Sequence, residues 1–266
     1  IAKADGKAVV VEVNSETDFV AKNEVFQTFV EKIAEQVVSS DVADVDALLA
    51  STWMDDTSKT VNDALVEKVA TIGEKLSIRR FEKVAGETVV SYIHVGRIGA
   101  IVAGNVEASE EVKTALTNVA MQVAAMNPQY VSRDEISEEE LTKMHDITLE
   151  SALNDPFTLP KPILNALLDK AVDGVWSEED TAILAEKRAD KGFNFNYLPN
   201  FLSEDAKAKL AGLAVADKAN IAENKIFTGL VAGRVSKQLK DICLMDQTYV
   251  RAEDGKQTVA QYLGTV

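Results

Sequence analysis

The segment from Asn14 to Asn23 combines acidic, aromatic and amide side chains at a point where a strand-like run gives way to a helical pattern. Two interpretations fit this pattern. In the first, Phe19 plugs the core beneath the following helix while Thr17 or Asp18 caps that helix. In the second, Asp18 and Phe19 form a projecting acidic and aromatic tip that meets another protein. The residue types alone leave both interpretations open.

The two histidines do not form a metal site. His94 and His145 stand far apart in the sequence, and neither belongs to a His-Glu-x-x-His pattern. His94 closes a predicted strand just before Gly96, so we expect it on an exposed loop where a partner can bind. His145 falls on a predicted helix, and we expect it to be a surface residue.

Signatures of an enzyme are lacking. The sequence contains no Walker-type phosphate loop, and Gly96, Gly99 and Gly104 do not follow the dinucleotide-binding spacing. A single cysteine, Cys243, excludes a cysteine-cluster metal site and is typical of a reducing compartment. The many carboxylates are best explained as helix caps and solvated faces, although an enzyme that uses a buried carboxylate pair stays an alternative. We therefore predict no catalytic residue, cofactor or metal.

The composition is acidic and limits the classes of partner. The 266 residues include 28 Lys and Arg against 43 Asp and Glu, which gives a formal net charge of −15. This charge opposes binding to a phosphate backbone, so we expect no direct contact with nucleic acid. No apolar run approaches the roughly 20 residues needed to span a bilayer, and we expect a cytoplasmic protein without membrane contact. Because the sequence begins with Ile1, we expect a fragment or a processed chain.

Strand and helix patterns alternate in the first half of the chain. A β-branched run predicts a strand over residues 6–14, and helical spacing predicts a helix over 25–37 with Asn23 as its N-cap. A second strand, over 96–105, precedes a helix that begins after Ser109. The two strand-helix units predict two related subdomains.

Two further strand-like runs lie between these units. Residues 76–84 alternate with a period of two, and residues 88–94 follow across a short loop that contains Gly86. This pattern predicts a β-hairpin, which would pair with the strand at 97–103 in an antiparallel sheet.

Strand patterns disappear after about residue 135. Serine followed by acidic residues marks helix starts at Ser137, Ser177 and Ser203. The predicted helices span residues 137–153, 161–173, 177–190, 203–219, 223–241 and 257–263.

Together the patterns predict an α+β fold of two related subdomains, each with an antiparallel sheet flanked by helices, plus a protruding helical insert. We place the N-terminal core subdomain at 1–87 and the C-terminal core subdomain at 88–135 and 226–266. The insert, a coiled-coil-like hairpin region, is placed at 136–225. Its apolar helix faces would allow a homodimer.

The run Thr17-Asp18-Phe19-Val20-Ala21-Lys22-Asn23 resembles the signature of the translation elongation factor Ts family. Further blocks stand in the family's order through nearly the whole chain: residues 72–80, 92–94 with 96–99, 120–125 with Pro128, Gly233 and Arg234 with Lys237, and 244–250. Their joint occurrence is more specific than any one block.

The resemblance implies a guanine-nucleotide exchange factor that binds the GTPase elongation factor Tu with GDP. It would promote GDP release during translation elongation by disturbing the Mg²⁺ and phosphate site. By resemblance, the partner-binding residues are those of the signature run, with Asp18 and Phe19 as the intruding tip, and His94 with Gly96 as a second contact. An interaction subunit that holds the GTPase in a larger complex without accelerating exchange stays an alternative.

The sequence departs from the family at its two ends. Family members carry an N-terminal ubiquitin-associated-like helical domain, and we expect this chain to be a fragment without it. Relatives usually continue beyond the equivalent of Gly264 into another strand and helix. Both departures bear on whether the chain retains full exchange activity.

Overall fold

Five strands and twelve α-helices make up the computed structural model, which describes residues 1–266. The chain divides into two units. Unit 1 comprises Ile1–Pro128 and Gln247–Val266, and unit 2 comprises Gln129–Asp246. All strands lie in unit 1, and unit 2 is helical, so the predicted α+β fold with small antiparallel sheets flanked by helices is confirmed. The three-part division drawn from the sequence stays a prediction.

The elements follow one another along the chain with few long connections. The strands are β1 (Ala2–Ala4), β2 (Lys7–Asn14), β3 (Ser77–Ala85), β4 (Thr88–His94) and β5 (Ile98–Gly104). The first helices of unit 1 are α1 (Asp18–Ala21), α2 (Glu24–Val38), α3 (Val45–Ala50), α4 (Val61–Ile72) and α5 (Glu110–Met126). Unit 2 contains α6 (Glu138–Asn154), α7 (Lys161–Val172), α8 (Glu178–Ala189), α9 (Glu204–Ala216), α10 (Lys218–Glu223) and α11 (Lys225–Ile242). The last helix, α12 (Val259–Leu263), belongs to unit 1.

The strands of unit 1 form two separate antiparallel sheets. The first has the order β1-β2-β3, and the second consists of β4 and β5, with Thr88 opposite Gly104 and His94 opposite Ile98. The predicted pairing of β4 with the strand after it is therefore confirmed. The predicted hairpin between 76–84 and 88–94 is wrong, because β3 pairs with β2.

The connection between β3 and β4 explains this difference. The Gly86 N–H donates to the carbonyl of Gly6 at 2.9 Å, at the start of β2. A Cβ atom at Gly86 would lie only 2.8 Å from the carbonyl oxygen of Gly104, so the backbones approach closely here. The chain thus passes from one sheet to the other at Gly86 instead of folding back on itself.

Each sheet packs against one long helix. Phe29, Ile33 and Val37 of α2 lie at helical spacing and are buried in one cluster with Val9 of β2. Leu116 of α5 is buried in a second cluster that includes residues of β4 and β5. These are the two strand-helix layers that the sequence predicts.

The helices of unit 2 share one large apolar core. Ser137, Ser177 and Ser203 each accept a backbone N–H at the start of a helix, as predicted. The predicted helix over 203–219 breaks at Asp217 into α9 and α10. The largest fully buried side chains of this core are Leu153, Leu167, Leu168, Leu184, Leu198, Leu210 and Phe227.

Candidate functional site

Residues 17–23, which we call the finger, follow directly after β2. Asp18–Ala21 form a single helical turn, α1, and the side chain of Thr17 accepts the Val20 N–H at its start. Phe19 is 82% exposed and none of its helix's residues is buried. The interpretation of Phe19 as a core plug is therefore wrong, because its ring lies outside the core of the chain.

The base of the finger is held by a pair of glutamates. The Glu74 carboxylate accepts the Thr17 N–H at 3.1 Å and the Thr17 hydroxyl at 2.7 Å. In return, the Lys75 N–H donates to the carboxylate of Glu16 at 3.2 Å. Glu74 follows Gly73, which ends α4 in the left-handed conformation with φ of 80°. The end of α4 thus fixes where the finger leaves the sheet.

The far end of the finger is fixed by α2. The side-chain oxygen of Asn23 accepts the Val25 N–H at 2.8 Å and so caps that helix. The side chain of Gln27 donates to the carbonyl of Ala21 at 3.2 Å. With both ends hydrogen-bonded, the finger presents Phe19 from a defined backbone.

Asp18 carries a negative charge in this setting. A hydrogen bond and the charge of Lys22, at 3.1 Å, lower the pKa of the Asp18 carboxyl, and the guanidinium of Arg97 lowers it further. Both members of the Asp18–Lys22 pair are more than half exposed, so the pair contributes little to stability. Asp18 can therefore exchange Lys22 for a group on a partner with little loss of stability.

A second exposed element, residues 93–98, closes the β4–β5 hairpin, and we call it the hairpin tip. His94 ends β4 and is exposed, in the position that the sequence predicts. Its Nδ1 lies 3.0 Å from the Tyr92 hydroxyl, which fixes the orientation of the imidazole. The Arg97 N–H donates to the His94 carbonyl at 3.0 Å, and Gly96 takes φ of 68° within this turn.

The finger and the hairpin tip both belong to unit 1, in which the second sheet packs on the first. A Cβ atom at Gly99 would lie 2.8 Å from the Val10 side chain, so β5 packs closely on the strand that leads into the finger. Asp18, Phe19, His94 and Gly96 are all exposed on unit 1.

Sequence reasoning missed three residues that shape this region. Glu74 and Arg97 lie inside blocks that the family resemblance includes, but no local pattern shows that Glu74 holds Thr17. Tyr92 has the alternation of a strand residue, and only the structure shows its hydroxyl at His94. The role of Glu74 depends on a contact between residues 57 positions apart, whereas Tyr92 and His94 are two residues apart on β4, a spacing that the sequence shows.

The other chemically distinctive groups lie elsewhere. His145 is exposed on α6 next to Asp146. Cys243 is buried, and burial raises the pKa of its thiol. No three His, Cys, Asp or Glu side chains converge in a metal-binding arrangement. Among the helices, none is both long enough and apolar enough to cross a lipid bilayer.

Comparison with known proteins points to a single family. A family model described as Elongation factor TS matches residues 16–192, a range that includes the finger and the hairpin tip. The chain is also similar to Elongation factor Ts of Halothermothrix orenii, with 41% identity over 174 residues. That alignment covers 65% of this chain and 58% of the relative, so the chain spans little more than half the length of the curated protein.

Proposed function

This chain belongs to the elongation factor Ts family, and on that premise we propose that it promotes the release of GDP from the GTPase elongation factor Tu during translation elongation. The observation that carries the proposal is Phe19, an 82% exposed aromatic ring on a backbone hydrogen-bonded at both ends. Exposure of this kind is typical of a side chain that is buried in a complex.

Nucleotide exchange requires that the factor bind the nucleotide-free and nucleotide-bound states of the GTPase with different affinities. A GTPase holds its nucleotide through backbone N–H groups around the phosphates and through a Mg²⁺ ion that bridges phosphate and protein. A factor that binds the empty GTPase more tightly than the loaded one weakens nucleotide binding by the same ratio. The interactions of the finger must therefore be made mainly in the nucleotide-free state.

We assign the two residues of the tip different parts in this process. Phe19 inserts as an apolar wedge between elements of the GTPase domain and displaces them. Asp18, ionised at neutral pH, disturbs the neighbourhood of the Mg²⁺ ion held by the GTPase. The remaining finger residues, from Val20 to Asn23, complete the contact surface.

His94 and Gly96 supply a second contact from the hairpin tip. The Tyr92 hydroxyl orients the imidazole, and Gly96 allows the turn that presents it. The proposed activity breaks no covalent bond and uses no cofactor of this chain, because nucleotide and Mg²⁺ belong to the GTPase. We expect the protein to act in the cytoplasm without direct contact with nucleic acid or membrane.

The proposal is tested by stopped-flow release of a fluorescent GDP from elongation factor Tu, with and without this protein. We expect the release rate to rise with protein concentration and to saturate. Binding measured by calorimetry without any acceleration would contradict the exchange proposal and support the alternative of a non-catalytic subunit. Absence of binding would contradict both.

Replacement of His94 by Ala should weaken binding to elongation factor Tu. We expect the Kd to rise about 5- to 10-fold, since a partly exposed polar contact contributes about 1 kcal/mol. Calorimetry measures this effect, and a thermal melt checks that the fold is intact. His145→Ala is the matched control, because His145 is exposed on unit 2, and its Kd should equal that of the wild type. An unchanged Kd for His94→Ala would remove the residue from the interface.

Replacement of Glu74 by Ala removes the hydrogen bonds that hold Thr17 at the base of the finger. We expect stimulated GDP release to slow by about 3- to 10-fold, because the net contribution of each lost hydrogen bond is near 1 kcal/mol. Glu67→Ala, an exposed change on the same α4 segment, serves as the control. If Glu74 acts by positioning the finger, its substitution should have almost no further effect in a Phe19→Ala background. Additive effects in the double variant would contradict this role.

A further inference from the structure

Val95 adopts a backbone conformation that valine rarely takes. Its φ is 51°, and it occupies the first central position of the turn in which Gly96 has φ of 68°. Turns with two positive φ values favour Asn or Gly at this position, since a β-branched side chain crowds the backbone there. Any asparagine or glycine would form the same turn with less strain.

Packing within the chain does not explain the valine. Val95 is 79% exposed and contributes to none of the buried clusters of unit 1. Ile93 and Ile98, which flank the turn, are also exposed to about half their area. The side chain thus supports neither the turn nor the core, and a strained exposed residue of this kind indicates a role in function.

The position of Val95 indicates which function. It lies between His94 and Gly96 on the hairpin tip, and the closest packing of β5, at Gly99, is on the strand that leads into the finger. Val95 thus stands between the two hairpin-tip residues that we propose as contacts to the GTPase, and its exposed side chain is accessible to the same partner. A partner that contacts both His94 and Gly96 therefore lies against Val95 as well.

We propose that Val95 is a second apolar anchor, which inserts into the partner GTPase beside Phe19 and strengthens binding through a side chain that the isolated protein leaves strained and exposed. This inference rests on the proposed function and adds a residue to its interface. A β-branched side chain suits the role, because its single preferred rotamer leaves little freedom to be lost on binding. The same substitution should therefore have opposite effects on folding and on binding.

Val95→Asn provides the test. Asparagine tolerates the left-handed conformation, so we expect the melting temperature to rise by about 2–4 °C. Loss of the apolar side chain should raise the Kd for nucleotide-free elongation factor Tu by about tenfold, as the burial of a valine predicts. Val106→Asn is the matched control, because Val106 is 50% exposed just beyond the opposite end of β5, and its Kd should not change.

The outcomes separate this inference from the proposed function. A melting temperature that rises together with a tenfold weaker Kd supports the anchor. An unchanged Kd for Val95→Asn, measured against a wild-type protein that binds and accelerates GDP release, would overturn the inference alone. A wild-type protein that fails to bind the GTPase would overturn the proposed function, and the inference with it.

Discussion

Replacement of Phe19 by Ala should reduce stimulated GDP release by at least about 30-fold, since truncation of a central aromatic anchor typically removes 2–4 kcal/mol. The free energy of unfolding should change by less than about 0.5 kcal/mol, because the ring is 82% exposed and contributes little to the core. A large kinetic effect with an intact fold is the signature of a side chain that acts in the complex. Stopped-flow release and a thermal melt measure the two quantities.

Two further variants sharpen this test. Phe19→Leu keeps an apolar side chain and should recover part of the rate, which would show that the wedge acts through its volume. Tyr197→Ala removes an aromatic ring that is 59% exposed on unit 2, and its release rate should match the wild type. If Phe19→Ala releases GDP as fast as the wild type, the ring has no part in exchange. A collapsed melt would show that the ring supports the fold.

The second large effect is expected at Gly86, where the chain passes between the two sheets. A Cβ atom there would lie 2.8 Å from the Gly104 carbonyl oxygen and 3.1 Å from the Ala103 side chain. Because the nearest obstacle is a backbone carbonyl oxygen of β5, it cannot rotate away, and the connection between β3 and β4 must shift away from β5. We expect Gly86→Ala to destabilise unit 1 by about 1–3 kcal/mol, as overpacking substitutions do.

Gly212→Ala is the matched control for this prediction. Gly212 lies within α9, and a Cβ atom added there would meet no other atom within 4 Å, so alanine should stabilise the helix by about 0.5–1 kcal/mol. Hydrogen exchange resolved by peptide would compare β4 and β5 with α9 in each variant. Equal protection of β4 and β5 in Gly86→Ala and in the wild type would contradict the close approach of the backbones.

The features that the sequence predicts well are those decided by neighbouring residues. Ser137, Ser177 and Ser203 begin helices because their side chains bond N–H groups within the same turn, and such local chemistry is visible in the sequence. Asn23 begins α2 in the same way, and its side chain accepts the Val25 N–H as predicted.

Features decided by distant residues are harder to predict. The partner of β3 is β2, and alternation cannot show whether a strand pairs with the next strand in the sequence or with a distant one. The short turn α1 depends on the side chain of Thr17 and on Glu74, which is distant in sequence. The sequence pattern also leaves open whether Phe19 is a plug or a tip, because an apolar residue between polar ones suits either role. Only the three-dimensional structure separates the two.

The hydrogen bonds between the two ends of unit 2 have a consequence for how the chain can vary in length during evolution. The Gln129 N–H donates to the Ile242 carbonyl at 2.8 Å, and the Leu244 N–H donates to the Tyr130 carbonyl at 2.9 Å. The first and last residues of unit 2 are thus held together by main-chain hydrogen bonds, which do not depend on the side chains present. Because its two ends stay together, unit 2 can gain or lose helices by insertion and deletion while the chain connections of unit 1, which carries the finger, are unchanged. Length variation among homologous proteins should therefore concentrate between residues 130 and 242.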